Sequence, residues 1–346
     1  MTLALAALAV VVAGCAWMAP RASATPTGTS ADAEAFRRCE RLGRGVNMGN
    51  ALEAPSVGEW GVTLDDSYFQ VIKEAGFNSV RIPIRWSAHA TTQAPYMIDP
   101  SFFVLVDKAV HEALAQGLTV IIDMHHYEEL YQNPAAHQER FVALWAQIAG
   151  HYQGYPLELY FEPLNEPNGA LSAGVWNSLF ADVLATIRRT NPNRMVVVGP
   201  VEWNAISQLR SLELPPQDRR LIVTVHYYDP MSFTHQGAEW VEGSEAWLGT
   251  TWEGAPGEQA AIRHDFDLAT AWAKAHGRPL FLGEFGTYDK ADMDSRVRWT
   301  TFVAREAEAH GWSWAYWEFC AGFGVYDAEQ HAFRRPLLEA LIPPET

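Results

Sequence analysis

Apolar and polar positions recur along this chain in one repeating unit. Apolar residues at helical spacing come first, then a glycine or a turn, then a short apolar run. Residues 101–116 illustrate it, because Phe102, Val106 and Val110 recur one helical turn apart before Gly117 and the run TVIIDM at 119–124. Glycine is an expected helix end, since it adopts the left-handed conformation without strain. The unit recurs at 67–84, 143–161, 176–199, 267–283 and 295–319.

These units predict eight short strands, once RGVNM at 44–48 and LIVTVH at 221–226 are added. Apolar strands that are mostly followed by helical patterns are typical of parallel sheets covered by helices. Eight β–α alternations in 346 residues predict an α/β fold, a single (β/α)8 TIM barrel. The exception is 229–257, a long segment without a period, which we expect to form a functional loop.

Polar or aromatic residues follow almost every predicted strand, at the end of the barrel where such folds carry their chemistry. Singly, each has a structural explanation, such as a hydrogen-bonded histidine or a carboxylate at a helix N-terminus. Their joint occurrence indicates a rim that faces a polar ligand. In strand order they are Asn47, Asn50, Glu53; Arg81, Trp86; His125, His126, Tyr127; Asn165, Glu166; Glu202, Trp203; His226, Tyr227, Tyr228; Glu284; Trp317, Glu318.

Two of these strands end in a glutamate with a similar local form. LELYFEPLNEPN at 157–168 carries Glu166 after an apolar run, and PLFLGEFG at 279–286 carries Glu284. Strands four and seven lie on opposite sides of a barrel mouth, so their side chains can meet there. Paired carboxylates provide the acid–base and nucleophilic groups that glycosidic bond cleavage needs.

Composition narrows the choice of partners. The formal net charge of −16 argues against nucleic acid or anionic lipid, which need a basic face. The chain has 14 Trp, some expected in the core and some as stacking platforms for sugar rings. The candidates for platforms are Trp60, Trp86, Trp203, Trp240, Trp247 and Trp252.

The first 24 residues have the pattern of an export signal, an apolar run that ends near small residues. Two cleavage points compete: VAGC at 12–15, which would leave a lipid anchor on Cys15, and Ala22-Ser23-Ala24. We favour the lipoprotein form slightly and expect an extracellular or cell-surface protein. Residues 25–35 are expected to form a tether and 36–346 the catalytic domain. Cys39 and Cys320 form no disulfide framework, and their spacing matches no metal site.

Seven motifs in order, GVNMGN, RIPIRW, DMHHYEE, NEP, HYY, GEFG and WAYWEF, resemble glycoside hydrolase family 5 over about residues 40–340. This is a (β/α)8 family with catalytic glutamates at strands four and seven. The segments NALEAP, HHYEEL, FTHQGAEWVEGSE and GFGVYD are similar to its bacterial, Thermotoga-type endoglucanase–mannanase branch. One departure is Pro163, where relatives have an aliphatic residue. We expect it to mark a bulge, because proline cannot donate to a central ladder.

The resemblance implies roles for individual residues. Glu166 would be the acid/base and Glu284 the nucleophile, which Arg81 and Tyr228 would keep ionised and aimed. Asn165 would bond the sugar 2-hydroxyl. His125 and His226 would line the reacting subsite, with His226 near the acid/base, and Trp317 would stack under the sugar. Further sugar contacts would come from Asn50, Glu53, His126, His235 and Trp240.

The expected activity is that of an endo-acting, retaining β-1,4-glycanase, a monomer that needs no metal or organic cofactor. Arg81 should lower the pKa of Glu284, whereas Glu166 lacks an adjacent cation and should have a raised pKa. The choice among glucan, mannan and xyloglucan stays open.

Two other readings differ in class. A barrel metallohydrolase would use Asp123, His125, His126 and His226 as ligands. Against it, the first strand carries no His-x-His and no late strand ends in a lone Asp. A non-catalytic sugar-binding barrel would need one of the two glutamates replaced.

Overall fold

Eight parallel strands close into a barrel in the computed structural model, which describes residues 30–344. Neighbouring strands pair in chain order, and the first pairs with the last. The predicted (β/α)8 barrel is confirmed. The strands are β1 (Arg44–Asn47), β2 (Ser79–Ile82), β3 (Thr119–Asp123), β4 (Leu159–Glu162), β5 (Val196–Val198), β6 (Leu221–His226), β7 (Leu280–Glu284) and β8 (Ser313–Tyr316).

Helices cover the barrel, and several begin earlier than the apolar pattern predicted. The helix before β7 begins at Pro256, so the predicted loop 229–257 ends at Ala255 and itself contains two short helical turns. The α-helices are Ser30–Glu40, Tyr68–Glu74, Pro100–Ala115, Glu128–Gln132, Pro134–His151, Ala173–Thr190, Met231–Thr234, Pro256–His276, Met293–Ala309 and Arg335–Leu341, and a short turn with left-handed residues, Val201–Asn204, follows β5. The 3-10 turns are Trp86–His89, Ile206–Ser211 and Ser244–Trp247, and Tyr326–Asp327 pairs antiparallel with Ala332–Phe333.

Helix Ser30–Glu40 closes the N-terminal end of the barrel. Its buried Ala35 and Cys39 pack against side chains inside the barrel, including Tyr160 and Phe281. The carbonyl of Cys39 accepts a hydrogen bond from Ser313 Oγ at the start of β8 (2.7 Å). The tether expected at 25–35 is therefore wrong from residue 30 onward, because this segment is helical and its Ala35 is buried against the barrel. The expected export signal and Cys15 lie outside the described residues.

Side chains alternate between the interior and the helical layer along each strand, as the pleat requires. In β4, Tyr160 lies inside the barrel and Phe161 lies under the helices, so Glu162 points inward again. Pro163 follows the last residue of β4 and breaks no ladder bond; its carbonyl accepts a hydrogen bond from Trp145 Nε1 (2.8 Å). The bulge expected at Pro163 is therefore absent from β4.

A register shift occurs in β7 instead. Val225 of β6 pairs with Leu282, but His226 pairs with Glu284, so Gly283 is an extra residue on β7. A bulge of this kind re-aims the side chain that follows it. It brings Glu284 to the same inward face as His226. Within residues 30–344, the structure has no helix that is long and apolar enough to cross a membrane.

Candidate active site

Glu166 and Glu284 face each other across the C-terminal mouth of the barrel. Nδ1 of His226 lies 2.7 Å from Oε1 of Glu166 and 3.5 Å from Oε2 of Glu284. One carboxylate oxygen from each glutamate and this nitrogen all lie within 4.8 Å of one another. Glu284 is buried, whereas the side chain of Glu166 stays 22% exposed, which leaves it open to a ligand in the mouth.

Glu284 is fixed by two donors. Nη1 of Arg81 donates to its Oε1 (2.7 Å), and the hydroxyl of Tyr228 donates to its Oε2 (2.9 Å). Arg81 comes from β2 and Tyr228 follows β6, so two separate elements set the direction of this carboxylate. The contacts expected from Arg81 and Tyr228 are present.

The guanidinium of Arg81 organises the floor of the mouth and is fully buried. It binds Glu162 through two nitrogens (2.7 and 3.0 Å) and lies 2.8 Å from Asp123. It also donates to the side-chain oxygens of Asn47 (2.9 Å) and Asn165 (2.7 Å). Such a planar fork can serve several acceptors at fixed angles, which a lysine cannot.

His125 is engaged at both ring nitrogens. Its Nδ1 lies 2.7 Å from Oδ2 of Asp123, and its Nε2 lies 3.2 Å from the amide nitrogen of Asn165. Because Asp123 accepts from Nδ1–H, Nε2 accepts from Asn165. The metal set suggested by Asp123, His125, His126 and His226 is therefore not formed, since His125 has no free nitrogen.

Both glutamates have raised pKa values, because burial disfavours their charged forms. Burial raises the pKa of Glu166 to about 8, with the negative charges of Glu162 and Asp123 adding to the effect. Burial raises the pKa of Glu284 to about 7, although His226, Arg81 and Tyr228 oppose the rise. The expected lowering at Glu284 is thus wrong in net direction, since burial outweighs the neighbouring cation. The expected order holds, with Glu166 keeping its proton to the higher pH.

The model of the family described as "Cellulase (glycosyl hydrolase family 5)" matches residues 41–322. The chain belongs to glycosyl hydrolase family 5. The resemblance of its motifs to this family is confirmed.

Curated relatives include endoglucanase H of Acetivibrio thermocellus, 33% identical over 331 residues that cover 94% of this chain and 35% of the relative. Endoglucanase B of Clostridium cellulovorans is 29% identical over 86% of this chain and 73% of its own length. The chain thus spans about a third of the first protein. Cel5A of Thermotoga maritima, solved with mannotriose, is 52% identical with a TM-score of 0.87, covering 88% of this chain and 99% of that one.

The other residues expected to touch sugar differ in how far their side chains are exposed. Asn50 and His126 are partly open, and Trp240 is 60% exposed. Trp317 lies parallel to the ring of His125, with centroids 5.7 Å apart. His235 is buried and contacts Trp240 edge-on (6.5 Å between centroids), so it packs against that exposed indole.

Glu53 is held within the loop that follows β1. It is fully buried, and its carboxylate accepts hydrogen bonds from the backbone N–H groups of Asn50 and Ala51. Glu53 therefore shapes the loop after β1, and the sugar contact expected for it stays a prediction. Glu318 acts similarly after β8, where it accepts from the N–H groups of 320, 321 and 323.

Several site residues received no role from the sequence. Glu162 could have been found, because the period of two that puts Tyr160 inside the barrel puts Glu162 there too. Tyr131, whose hydroxyl donates to the carbonyl of Asn165 (2.7 Å), gives no such signal. Neither does Asn204, whose side-chain nitrogen lies 3.1 Å from Nε2 of His226.

The six tryptophans proposed as platforms differ in how far their rings are exposed. Trp86 and Trp252 are buried in the core, and Trp247 is partly buried. Trp60, Trp203 and Trp240 are exposed by 38%, 59% and 60%. Each exposed ring is tied to the rim of the mouth, Trp60 by its edge contact with His126, Trp203 by its position after β5, and Trp240 by its contact with His235.

Proposed function

We propose that this chain is an endo-acting β-1,4-glucanase that cleaves its substrate with retention of anomeric configuration. The observation that carries the proposal is the short separation of Glu166 and Glu284, which have one carboxylate oxygen each within 4.8 Å of the other. Retaining glycosidases hold their carboxyl groups about 5–5.5 Å apart, whereas inverting enzymes need about 6.5–9.5 Å to admit a water. The spacing supports direct attack by one carboxylate on the sugar.

In the first step, a carboxylate oxygen of Glu284 bonds to the anomeric carbon as the glycosidic bond breaks. Glu166 gives its proton to the departing oxygen, for which its raised pKa suits it. Arg81 and Tyr228 hold the attacking carboxylate in place. The product of this step is a glycosyl ester on Glu284.

In the second step, water attacks the same carbon and the ester bond breaks. Esterification has removed the negative charge of Glu284, so the pKa of Glu166 falls and its carboxylate can accept the proton of the water. Two displacements at one carbon return the original configuration. The chemistry requires no metal or organic cofactor.

The substrate class follows from the open, aromatic rim. Trp60, Trp203 and Trp240 offer exposed faces on which sugar rings of a long chain can stack. Relatives named endoglucanase support a β-1,4-glucan as the main substrate. The Thermotoga maritima protein was solved with mannotriose and also with cellobiose, which supports mannan as a second substrate.

The deciding experiment follows the first product released from a cello-oligosaccharide by proton NMR. We expect the β-anomer at early times, and an early α-anomer would rule out the double displacement. Reducing-sugar release from carboxymethylcellulose, lichenan, glucomannan and mannan would rank the polymers. Glu284→Gln serves as the inactive control. A strong chelator should leave the rate unchanged.

We also propose export of the protein, supported by the apolar and small-residue pattern of residues 1–24. Mass spectrometry of the protein from cell fractions would distinguish a lipoprotein from a freely secreted protein. A lipid-modified Cys15 at the new N-terminus identifies a lipoprotein, and cleavage after Ala24 identifies a freely secreted enzyme. An intact N-terminus in the cytoplasm would contradict export.

A further inference from the structure

His226 is held from two sides. Its Nδ1 faces both catalytic carboxylates, at 2.7 Å from Glu166 and 3.5 Å from Glu284. Its Nε2 lies 3.1 Å from Nδ2 of Asn204, which is fully buried. An amide nitrogen can only donate, so Nε2 must accept and the proton of the neutral ring must be on Nδ1.

The orientation of the Asn204 amide is favoured by its other neighbour, Gly199. The amide oxygen occupies the position that a β-carbon on residue 199 would take. It therefore faces the Cα–H of Gly199, a weak donor, and has no hydrogen-bond partner among residues 30–344. Rotating the amide would direct two N–H groups at the same carbon without an acceptor, which is the worse arrangement.

We propose that Asn204 is a positioning residue that keeps the proton of neutral His226 on Nδ1, where both catalytic carboxylates share it. The proposal rests on the retaining mechanism proposed above. Two carboxylates this close repel each other when both are charged. A shared N–H between them reduces that repulsion, with its shorter contact to Glu166 and its longer one to Glu284.

The charges around His226 agree with a neutral ring. Burial lowers the pKa of His226, Glu284 opposes that effect and Arg81 adds to it. The titratable groups that face the ring come from four strands or their ends: Arg81, Asp123, His125, Glu162, Glu166 and Glu284. Asn204 contacts the remaining ring nitrogen, Nε2, and carries no charge. It therefore orients the ring without changing the net charge around it.

An unusual backbone presents Asn204 to the ring. Glu202, Trp203 and Asn204 have φ values of 56°, 59° and 57°, a left-handed turn in which Trp203 is exposed while Asn204 points inward. The N–H of Trp203 donates to the carbonyl of Pro167, next to Glu166 (3.4 Å). The turn therefore joins an exposed aromatic platform, the acid/base loop and His226.

The first test replaces Asn204 with aspartate, which has the same shape and tolerates the left-handed backbone. The new carboxylate accepts from Nε2–H, so His226 becomes an imidazolium that favours the charged form of Glu166. We expect the alkaline limb of the kcat/KM profile to move down by about one pH unit, a loss of about tenfold at the original limb. KM should change little, since Asn204 does not face the mouth.

The matched control is Asn177→Asp. Asn177 donates to the carbonyl of Ser211 and accepts from the N–H of Glu213, so it holds the segment after the turn without contacting His226. It should lower stability and leave the alkaline limb in place. A purely structural Asn204 would behave in the same way, with an unmoved limb, and that result would overturn the proposal.

The second test reads the tautomer directly by NMR of the whole protein labelled with ¹⁵N-histidine, using His226→Gln to identify the resonances. We expect a protonated Nδ1 and an unprotonated Nε2 in the native protein, and two protonated nitrogens in Asn204→Asp. The reverse tautomer in the native protein would refute the proposal. This result does not depend on activity, so a protein that hydrolyses no β-glycan would refute the proposed function while the tautomer is still decided.

Discussion

Arg81 shows how much of this site depends on a single side chain. One buried guanidinium faces the carboxylates of Asp123, Glu162 and Glu284, so the mouth holds more negative than positive charge. Removing one partner of a buried ion pair costs about 3–5 kcal/mol, because the remaining charge is left uncompensated. Burial is the main cause of the raised pKa values of Glu166 and Glu284, and the charge of Arg81 opposes the rise at both.

The nucleophile can be tested by removing its side chain. Glu284→Gly should lower kcat by more than about 10³-fold, since no other carboxylate can form the glycosyl ester. Added azide should restore turnover of an activated aryl glycoside, because the small anion fits the vacated space, and the product should be a glycosyl azide. If the folded variant shows no rescue, the nucleophile is a different residue.

The acid/base can be tested through the pH profile. Glu166 must be protonated to assist departure, so kcat/KM should fall as pH rises through its pKa of about 8. Glu284 must be ionised, so the rate should also fall as pH drops through its pKa of about 7. Glu166→Gln should lose about 10²–10⁴-fold on natural substrates and lose the alkaline limb. An alkaline limb that persists in this variant would contradict the assignment.

At the scale of elements, the bulge in β7 sets the direction of Glu284, the proposed nucleophile. A β-carbon on Gly283 would collide with Oγ1 of Thr224 and lie 3.0 Å from Nε2 of His226. Gly283→Ala should therefore shift β7 or β6 and lower kcat by about 10²-fold, because misplacement by about 1 Å has that effect. Steady-state kinetics and near-UV circular dichroism measure the two consequences.

Gly150→Ala is the control for that experiment. Gly150 lies in helix Pro134–His151, and a β-carbon there meets nothing within 4 Å. This change should leave kcat unaltered and stabilise the protein by about 0.5–1 kcal/mol, since alanine favours a helix. Equal activities of the two variants would show that the bulge does not position Glu284.

Elements were more predictable than the contacts between them. Short apolar runs and intervening helices are local signals, so they predict the barrel and bring Glu166 and Glu284 to one end of it. The inward direction of Glu284 depends on a register shift between two strands, which no local pattern announces. The same holds for Glu53, whose burial depends on how the loop after β1 closes, and for Asn204, which a left-handed turn directs to His226.

At the scale of the whole molecule, buried titratable groups predict how stability depends on pH. Burial raises the pKa values of Glu53, Glu166, Glu284 and Glu318 above the usual 4.5, to between about 7 and about 8. Above pH 4.5 the unfolded chain releases these protons first, so they favour unfolding as pH rises toward 8. Burial lowers the pKa values of His125, His226 and His235 below 6.5, so these residues favour unfolding as pH falls below 6.5.

The buried glutamates and the buried histidines therefore have opposite effects on stability between about pH 4.5 and 6.5, where we expect a stability plateau. The melting temperature should fall on both sides, above pH 6.5 because of the glutamates and below pH 4.5 because of the histidines. Calorimetric scans from pH 4 to pH 9 would measure this. A melting temperature that keeps rising through pH 8 would contradict the raised glutamate pKa values.

Helix Ser30–Glu40 closes the N-terminal end of the barrel, so it lies at the end opposite the opening that contains Glu166 and Glu284. An attachment made at the start of this helix, whether to a surface, a bead or a fused partner, therefore lies at the end of the barrel away from that opening. Bulky polymers can then reach the opening unhindered. An attachment on the rim loops would instead bring the support into the path of the substrate.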